Sequence, residues 1–373
     1  MFSLPITLLF TVFLLIYSIA ILVFTFSVSR IPPRPSAPPT YPGVSVIIPF
    51  RNEEHNLTSL LLSLKNQNYK GQWEIIMVDD HSTDAGAEII RNFQKEFSEA
   101  HLRLIKSKEA QNRLTSKQQA LETGVSEAVH PLLAFTDADM ILQPQWLENL
   151  VNTQQSSGKN LVFGHTVLQD NDQQFMRIFE SFQLEFLFSF AYAFSRMNLT
   201  GSCMGNNLLI DKECYRKSGG QKAIGYNIVE DRALLDLVRR KGFRTGAAEP
   251  FVPLALTLPS RSPDQFYNQM RRWAAGGCNP KTNLFAAGIL FSAQNLLFLF
   301  SILGFMPLLI STLSYTNFFL NWLFLYLAFK RIHSPLRAYL FPLYYILLIA
   351  ETIILGLSLI FSPRIEWKSR TVK

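Results

Sequence analysis

The sequence has 373 residues, a formal net charge of +7 and 48% hydrophobic residues, whereas only 17% of its residues are charged. Soluble domains carry about 25% charged residues, so this composition indicates that part of the chain lies in lipid. The apolar content excludes intrinsic disorder, and three widely spaced cysteines exclude a small disulfide scaffold.

The first apolar segment is long enough to cross a membrane. Leu4 to Val28 contains no charged side chain, and it exceeds the roughly 20 residues that a helix needs to span the hydrocarbon core. The segment lacks the basic start and the cleavage site of a signal peptide. We therefore expect a retained transmembrane helix within residues 1–30, followed by a proline-rich linker over residues 31–43.

From Val44 onward, short β-branched runs alternate with segments of helical periodicity. Strands are predicted at Val44–Pro49, Trp73–Val78, Leu102–Lys106 and Pro131–Thr136, and helices at Glu54–Asn66, Ala85–Phe97 and Ser116–Val129. This alternation favours an α/β fold with a mostly parallel sheet. Ligands in such sheets bind beyond the carboxyl ends of the strands, which directs attention to the polar residues there.

Asp137-Ala138-Asp139 places two carboxylates directly after a predicted buried strand. Carboxylate oxygens suit Mg²⁺ or Mn²⁺, and Mg²⁺ is usually held by one or two carboxylates together with substrate phosphates. Aspartate is also common in turns and helix caps, so the motif alone leaves a structural role open.

Asp79 and Asp80 end the second predicted strand and begin a polar run that continues to Asp84. At least one of Ser82, Thr83 and Asp84 is expected to cap the following helix. Two adjacent acids at a strand end repel each other, and a cation or the hydroxyls of a ligand would relieve that repulsion.

Glu230 and Asp231 precede a predicted amphipathic helix. An acidic residue at a helix start is favoured by the helix dipole, which is a sufficient structural explanation. The functional alternative is a general base, a carboxylate that accepts the proton of an attacking hydroxyl.

Gln269, Arg272 and Trp273 lie just before the C-terminal apolar region. A basic amphipathic segment with tryptophan at a membrane edge is commonly interfacial. Alternatively, the Arg272 guanidinium binds a diphosphate and Trp273 stacks on a sugar ring.

In chain order, these segments resemble an inverting family 2 glycosyltransferase of the GT-A fold, in the membrane-embedded branch of cellulose, hyaluronan and chitin synthases. The segments that carry the resemblance are SVIIPFRNEE, EIIMVDDHSTDAG, SKQQALETG, LAFTDADM, GNNLLIDKE, VEDRAL and QMRRW. The chain departs from the family at Ser116, where glycine is frequent, and at Val229, where processive members have threonine.

The resemblance implies a role for each matching residue. The nucleotide would be bound by Pro49, Arg51, Glu53, Asp79 and Asp80, the diphosphate by Lys117, the ribose and metal by Asp137, and Mg²⁺ or Mn²⁺ directly by Asp139. Asp231 would be the catalytic base, and Glu230, Gln269, Arg272 and Trp273 would contact diphosphate and acceptor. The donor would be a nucleotide-diphosphate sugar, expected to be UDP-linked, and the acceptor a lipid-linked or polysaccharide hydroxyl.

The resemblance also leaves a second hypothesis open, a non-catalytic GT-A-like membrane subunit that binds nucleotide sugar as a sensor or scaffold. Nucleic-acid binding is disfavoured because no basic-aromatic module occurs. A phenylalanine stripe from Phe175 to Phe194 has helical spacing. It would pack either on the domain core and the membrane spans or on the bilayer surface.

The remaining chain is expected to form a glycosyltransferase domain over residues 44–280, with an interfacial helix near 261–280, and about three transmembrane helices over residues 281–363. Apolar runs occur at Leu284–Leu313, Asn317–Phe329 and Tyr339–Phe361, and Gly304 and Pro307 could break the first. Arg30 and Arg34 after the first helix favour a multi-pass cell-membrane protein with a cytoplasmic catalytic domain. Residues 364–373 form a basic tail, which conflicts with the outside location that three C-terminal helices would give it.

Overall fold

The computed structural model describes residues 3–30, 40–95, 101–109, 114–169, 174–249, 255–277, 283–332, 335–361, 365–367 and 370–372. The chain folds as two units, which are described separately. The α/β unit consists of residues 33–172 and 202–259, and the helical unit consists of residues 1–32, 173–201 and 260–373.

The helices, in chain order, are α1 Leu4–Ser29, α2 Glu54–Lys65, α3 Gly86–Gln94, α4 Ser116–Glu127, α5 Trp146–Ser157, α6 Phe175–Arg196, α7 Lys212–Ser218, α8 Gly220–Ile224, α9 Glu230–Arg240, α10 Pro263–Gly277, α11 Asn283–Ile302, α12 Leu308–Arg331 and α13 Phe341–Phe361. A 3₁₀ helix at Pro335–Leu340 precedes α13. The strands are β1 Val44–Phe50, β2 Trp73–Asp79, β3 His101–Lys106, β4 Leu132–Phe135, β5 Met140–Leu142, β6 Leu161–Phe163, β7 Thr166–Leu168, β8 Leu208–Asp211, β9 Thr245–Ala247, β10 Ala255–Thr257, β11 Ile365–Trp367 and β12 Arg370–Val372.

The α/β unit is built on a seven-stranded sheet in the order β3-β2-β1-β4-β8-β6-β9. β1 pairs in parallel with β2 and with β4, β2 with β3, and β6 with β9, whereas β8 is antiparallel to both of its neighbours. The strand order reverses at β1, so the crevice between the carboxyl ends of β1 and β4 is the position where such sheets bind ligands.

The central strand is buried along its whole length, as expected for a parallel strand covered on both faces. The apolar stripe Leu57, Leu60, Leu61 and Leu64 of α2 is fully buried in the same hydrophobic cluster as alternate residues of β1. The buried apolar residues that predicted β1 and α2 therefore also hold these elements in place. As a result, the polar residues that follow the parallel strands lie at one edge of the sheet.

Among the described residues, the helical unit contains four helices that are long and apolar enough to cross a membrane: α1, α11, α12 and the segment Ala338–Leu359, which covers most of α13. Gly304, in the left-handed conformation with φ of 77°, lies in the break between α11 and α12, where the sequence predicted one. The sequence predicted one apolar run at Leu284–Leu313 and a separate one at Asn317–Phe329. This boundary was wrong, because α12 runs unbroken through Asn317.

The physical reason for this difference is a buried hydrogen-bond network around Asn317. Its side chain accepts from the Ser18 hydroxyl at 2.6 Å, and its amide donates to the Leu14 carbonyl at 3.2 Å and to Gln294 at 3.2 Å. The Tyr17 hydroxyl donates to the Asn321 side chain at 2.9 Å. Polar side chains satisfied between helices are compatible with a membrane bundle, so they do not end the helix.

The phenylalanine stripe of α6 packs on other helices of the same unit. The ring of Phe190 lies 4.8 Å from that of Phe324, Phe182 lies 5.0 Å from Phe329, and Phe194 lies 5.1 Å from Phe24. Packing on the predicted spans was one of the two alternatives from the sequence. The structure accordingly groups residues 173–201 with the apolar helices, although the sequence analysis placed them inside the 44–280 domain.

Candidate active site

A cavity of the α/β unit gathers several of the predicted site residues. It lies beyond the end of β4 and at the first turn of α9, and its charged lining residues are Lys117, Asp137, Glu230 and Asp231. Phe135, Leu208 and Leu234 form an apolar wall. Charged groups beside an apolar wall are the usual composition of a small-molecule site.

Lys117 joins two acids that are far apart in the sequence. Its Nζ lies 2.9 Å from Asp137 Oδ1 and 2.9 Å from Glu230 Oε1. Loss of water around the ammonium by itself lowers the pKa of Lys117, but the two carboxylates outweigh this effect and raise the pKa above its ordinary value. The Glu230 side chain is only 8% exposed, whereas Lys117 and Asp137 are about one-third exposed and reachable by a ligand.

Asp231 is held at the amino end of α9 by two backbone groups. The Gly205 amide donates to its Oδ2 at 2.9 Å, and the Arg232 amide donates to its Oδ1 at 2.7 Å. A Cβ at position 205 would lie 2.6 Å from Asp231 Oδ2, so only glycine permits this close approach. Asp231 therefore has the helix-start position that the structural explanation predicted, and it also faces the cavity.

The loops after β1 and β2 are bound to each other. Arg51 pairs with Asp80 at 3.9 Å, and the Asn52 side chain accepts from the Thr83 amide at 2.8 Å. Asp84 accepts from the first amide of α2 at 2.8 Å and from the Gly86 amide, the first of α3, at 3.1 Å. The N-cap residue of α3 is Ala85, which makes no side-chain cap hydrogen bond, so none of Ser82, Thr83 and Asp84 occupies the cap position. These contacts fix the polar edge beyond the two central strands.

The predicted nucleotide residues lie along this polar edge. Pro49 belongs to β1 and pairs with Val78 of β2. Glu53 precedes α2 and accepts from the Asn56 amide group at 2.6 Å, and Asp79 is buried and accepts from the Ser82 amide at 2.8 Å. Together with Arg51, Asp80 and Asp139, these residues are outside the lining of the cavity that contains Asp231. Their roles in binding stay predictions.

The predicted metal ligands occupy the turn between β4 and β5. Asp137 and Asp139 are each partly exposed there. Among the described residues, no group of three or more His, Cys, Asp or Glu side chains is arranged to hold a metal ion. The pair of carboxylates nevertheless fits Mg²⁺ or Mn²⁺, because these ions take oxygen ligands and commonly complete their shell with substrate phosphates and water.

Gln269, Arg272 and Trp273 lie on α10, in the helical unit. The Ser260 hydroxyl donates to Gln269 Oε1 at 3.5 Å, and Glu180 of α6 accepts from the Ser260 amide and hydroxyl. The predicted contacts of these three residues with diphosphate and acceptor stay predictions.

Sequence reasoning missed three residues around the cavity. Gly205 approaches Asp231, Gln221 lines the cavity, and Gln118 lies behind it with hydrogen bonds to both neighbouring segments. Gly205 and Gln118 belong to two of the segments that carry the family resemblance, but neither residue type by itself indicates a site.

Comparison with known proteins identifies the kind of domain. Residues 45–219 match the model of the family described as Glycosyl transferase family 2. Residues 45–219 are thus similar to a glycosyltransferase family 2 domain, which agrees with that part of the resemblance. The branch with cellulose, hyaluronan and chitin synthases stays a prediction.

Individual relatives agree with this domain. Glycosyltransferase AglE of Haloferax volcanii is 35% identical over 127 residues, 34% of this chain and 40% of that protein. Ceramide glucosyltransferase 3 of Caenorhabditis elegans is 21% identical over 264 residues, 69% of this chain and 55% of that protein. The alignments therefore reach about half the length of these relatives.

A solved structure shares the fold. The mannosyltransferase PcManGT of Pyrobaculum calidifontis, in complex with GDP-Man and Mn²⁺, superposes with a TM-score of 0.54 at 17% identity, covering 93% of this chain and 99% of that chain. The predicted α/β fold of the GT-A type, with a mostly parallel sheet flanked by membrane-length helices, is thereby confirmed.

Proposed function

We propose that the protein is a membrane-bound inverting glycosyltransferase that moves a sugar from a nucleotide-diphosphate sugar to a hydroxyl of a lipid or polysaccharide acceptor. The observation that carries the proposal is the cavity in which Asp231 lies beside the cluster of Lys117, Asp137 and Glu230. The cavity therefore holds a carboxylate that can take a proton from the attacking hydroxyl. It also holds an ammonium group that can stabilise the negative charge of the leaving diphosphate.

Asp231 is the proposed general base. The two backbone amides that donate to it fix the direction of its carboxylate, and the amino end of α9 stabilises its negative charge. The acceptor oxygen forms a bond to the anomeric carbon while its proton passes to Asp231. The bond from that carbon to the diphosphate breaks in the same step, which inverts the anomeric centre.

Lys117 is the proposed diphosphate ligand. Its ammonium lies between Asp137 and Glu230, so it is held at the cavity with its charge intact. A positive charge placed where negative charge builds up on the leaving group lowers the barrier. Asp137 and Asp139 would hold a divalent cation, which when bound supplies further positive charge to the diphosphate.

The donor and acceptor classes are supported by the relatives. PcManGT was solved with GDP-Man and Mn²⁺, and a relative is named a ceramide glucosyltransferase. A GDP-linked donor is therefore as important to test as the UDP-linked donor expected from the sequence, and a lipid acceptor fits the four membrane-length helices. The basic residues after α1 support a multi-pass location in the cell membrane with the α/β unit in the cytoplasm.

The test is a donor screen on the full chain in detergent, with UDP- and GDP-linked sugars and either Mg²⁺ or Mn²⁺, reading released nucleotide diphosphate and transferred sugar. Wild-type protein should turn over at least one donor, and addition of a chelator should abolish turnover until the metal is restored. Asp231→Asn should lower kcat by about 10²-fold or more, since general-base catalysis contributes 10²–10⁴-fold.

Glu213→Gln is the matched control, because Glu213 is an exposed carboxylate of α7 that pairs with Arg216. It should retain wild-type turnover. Wild-type rates in Asp231→Asn would refute the assignment of the base. Nucleotide-sugar binding without turnover in wild type would instead favour the non-catalytic sensor or scaffold.

A further inference from the structure

Gln118 is a fully buried amide whose hydrogen-bonding groups are all engaged. Its Oε1 accepts from the amide of Thr115 at 3.0 Å and from the amide of Asn227 at 3.1 Å. Its Nε2 donates to the carbonyl of Gly225 at 2.8 Å and to Gln221 Oε1 at 3.1 Å. A buried amide with four partners is costly to disturb, because each lost partner leaves a desolvated polar group.

The bonds to Thr115 are local and explain how α4 begins. Thr115 Oγ1 accepts from the Gln118 amide at 3.2 Å while Gln118 returns a bond to the Thr115 amide, which is a capping box. A capping glutamine normally needs no further partner. The three further bonds, with Gln221, Gly225 and Asn227, connect this helix start to a segment more than 100 residues later in the chain.

That distant segment leads directly into the proposed base. Gly225 has φ of 73° and ψ of −166°, a backbone conformation that is essentially restricted to glycine. Asn227 Oδ1 then accepts from the amide of Val229 at 2.9 Å, and Val229 is the residue immediately before α9. The hydrogen bonds therefore run from Gln118 through Asn227 to the helix start that carries Asp231.

Lys117, the residue next to Gln118, belongs to the cluster of charged side chains at the cavity. Lys117 precedes Gln118 on α4 and lies 2.9 Å from Glu230, the first residue of α9. The two helix starts are thus joined twice, by the exposed ion pair at the cavity and by the buried amide behind it. Of the two connections, only the amide has no exposure to solvent or to a ligand.

We propose that Gln118 is a positioning residue that fixes the spacing between Lys117 and the Glu230–Asp231 pair. The inference rests on the proposed function, in which Lys117 binds the diphosphate and Asp231 accepts the proton. When the donor draws the Lys117 ammonium toward its diphosphate, the ion pair to Glu230 weakens, and the amide of Gln118 keeps both helix starts in register. A misplacement of about 1 Å between reacting groups can reduce a rate by about 10²-fold.

The test compares Gln118→Met with wild type in the full chain in detergent. Methionine is close to glutamine in length and shape but cannot replace the bonds to Gly225 and Asn227. The control is Gln119→Met, because Gln119 is also a buried glutamine of α4, and no hydrogen bond of its side chain is found among the described residues.

The first readout is hydrogen–deuterium exchange of the peptide that covers residues 225–231, which needs no turnover. Gln118→Met should speed exchange of this peptide by about tenfold, the change expected when about 1.4 kcal/mol of local protection is lost. Peptides from β1 and β2 should keep wild-type exchange. The second readout is the steady-state rate, in which kcat should fall by about tenfold or more while the donor KM changes by less than about threefold.

Unchanged exchange in residues 225–231 would overturn the inference, and so would wild-type kcat in a variant whose exchange has risen. Equal effects from Gln119→Met would also overturn it, since a general disturbance of α4 would then be sufficient. Absence of turnover in wild type with every donor would refute the proposed function instead, while the exchange result would still decide whether Gln118 holds the segment before α9.

Discussion

Gly205→Ala is the substitution that most directly tests how Asp231 is held. The added Cβ would lie 2.6 Å from Asp231 Oδ2 and 2.8 Å from Cγ, and the Asp231 Cβ would be closer still. Ordinary van der Waals contact begins at 3.4 Å, so the carboxylate has to move by at least about 0.8 Å. Rotation about χ1 cannot relieve the contact with Cβ, so the backbone of residue 205 or of α9 must shift as well.

This displacement should reduce kcat by about 10²-fold, because the base would lie about 1 Å from its productive position. Folding should be less affected, since overpacking of this kind costs about 1–3 kcal/mol. The assay is steady-state transfer with the donor found in the screen, alongside the thermal midpoint of the purified protein. The matched control is Gly288→Ala, the same chemical change on α11 where no atom lies within 4 Å of the new Cβ.

The reasoning would be refuted if Gly205→Ala transferred sugar at the wild-type rate with a wild-type thermal midpoint. Such a result would mean that Asp231 has a second productive position, and that the bond from the Gly205 amide is not needed. A loss of activity accompanied by an equal loss in Gly288→Ala would point to a general effect of added methyl groups.

Three further predictions follow from the charge and polarity of individual sites. Lys117→Met should raise the donor KM by about tenfold or more, because it removes the ammonium from between Asp137 and Glu230 and leaves the two carboxylates to repel the diphosphate. Burial lowers the pKa of His165 to about 3, so between the ordinary value near 6.5 and about 3 the unfolded state binds more protons than the folded state. The free energy of unfolding should therefore decrease as the pH is lowered from about 6.5 to about 3, by up to about 1.4 kcal/mol per pH unit, and His165→Leu should remove that slope in denaturation curves. Asn317→Leu should lower the thermal midpoint in detergent without changing kcat, since each hydrogen bond between membrane helices is worth about 0.6 kcal/mol.

Each of these predictions has a contrary outcome. An unchanged donor KM in Lys117→Met, with Lys217→Met on the exposed face of α7 as control, would remove Lys117 from the diphosphate site. An unfolding free energy that His165→Leu leaves equally dependent on pH would assign the acid sensitivity to another group. A thermal midpoint unchanged by Asn317→Leu would mean that apolar packing alone holds the helices of that unit together.

The sequence was sufficient to predict the strands and helices whose hydrophobic pattern is local. The strand at Val44–Phe50 and the helix at Glu54–Lys65 were predictable because β-branched residues and an apolar stripe report burial directly. The order of the acidic motifs was sufficient to predict the family whose model residues 45–219 match. The unbroken helix α12 was not predictable in this way, because the polar residues Ser314 to Thr316 read as a gap between two apolar runs until the buried partner of Ser314, Gln294, is known.

The candidate site was also predictable only in part, because some of its residues depend on partners that are distant in the sequence. Lys117, Asp137, Glu230 and Asp231 carry charges at strand ends and helix starts, which local rules can find. Gly205 and Gln118 act through contacts with residues 26 and 109 positions away, and no local property of glycine or glutamine indicates those partners. Such residues become visible only when the tertiary structure brings the segments together.

The hydrogen bonds from Tyr17 and Ser18 to Asn321 and Asn317 have a consequence for how the protein can be shortened. Removal of the first 30 residues, or exchange of α1 for an unrelated membrane anchor, would leave the side-chain oxygens of Asn317 and Asn321 without the hydroxyl donors of Ser18 and Tyr17 in an apolar environment. The N-terminal segment is therefore part of the helical unit rather than a tether, and expression of a version without α1 would require those asparagines to be replaced by apolar residues.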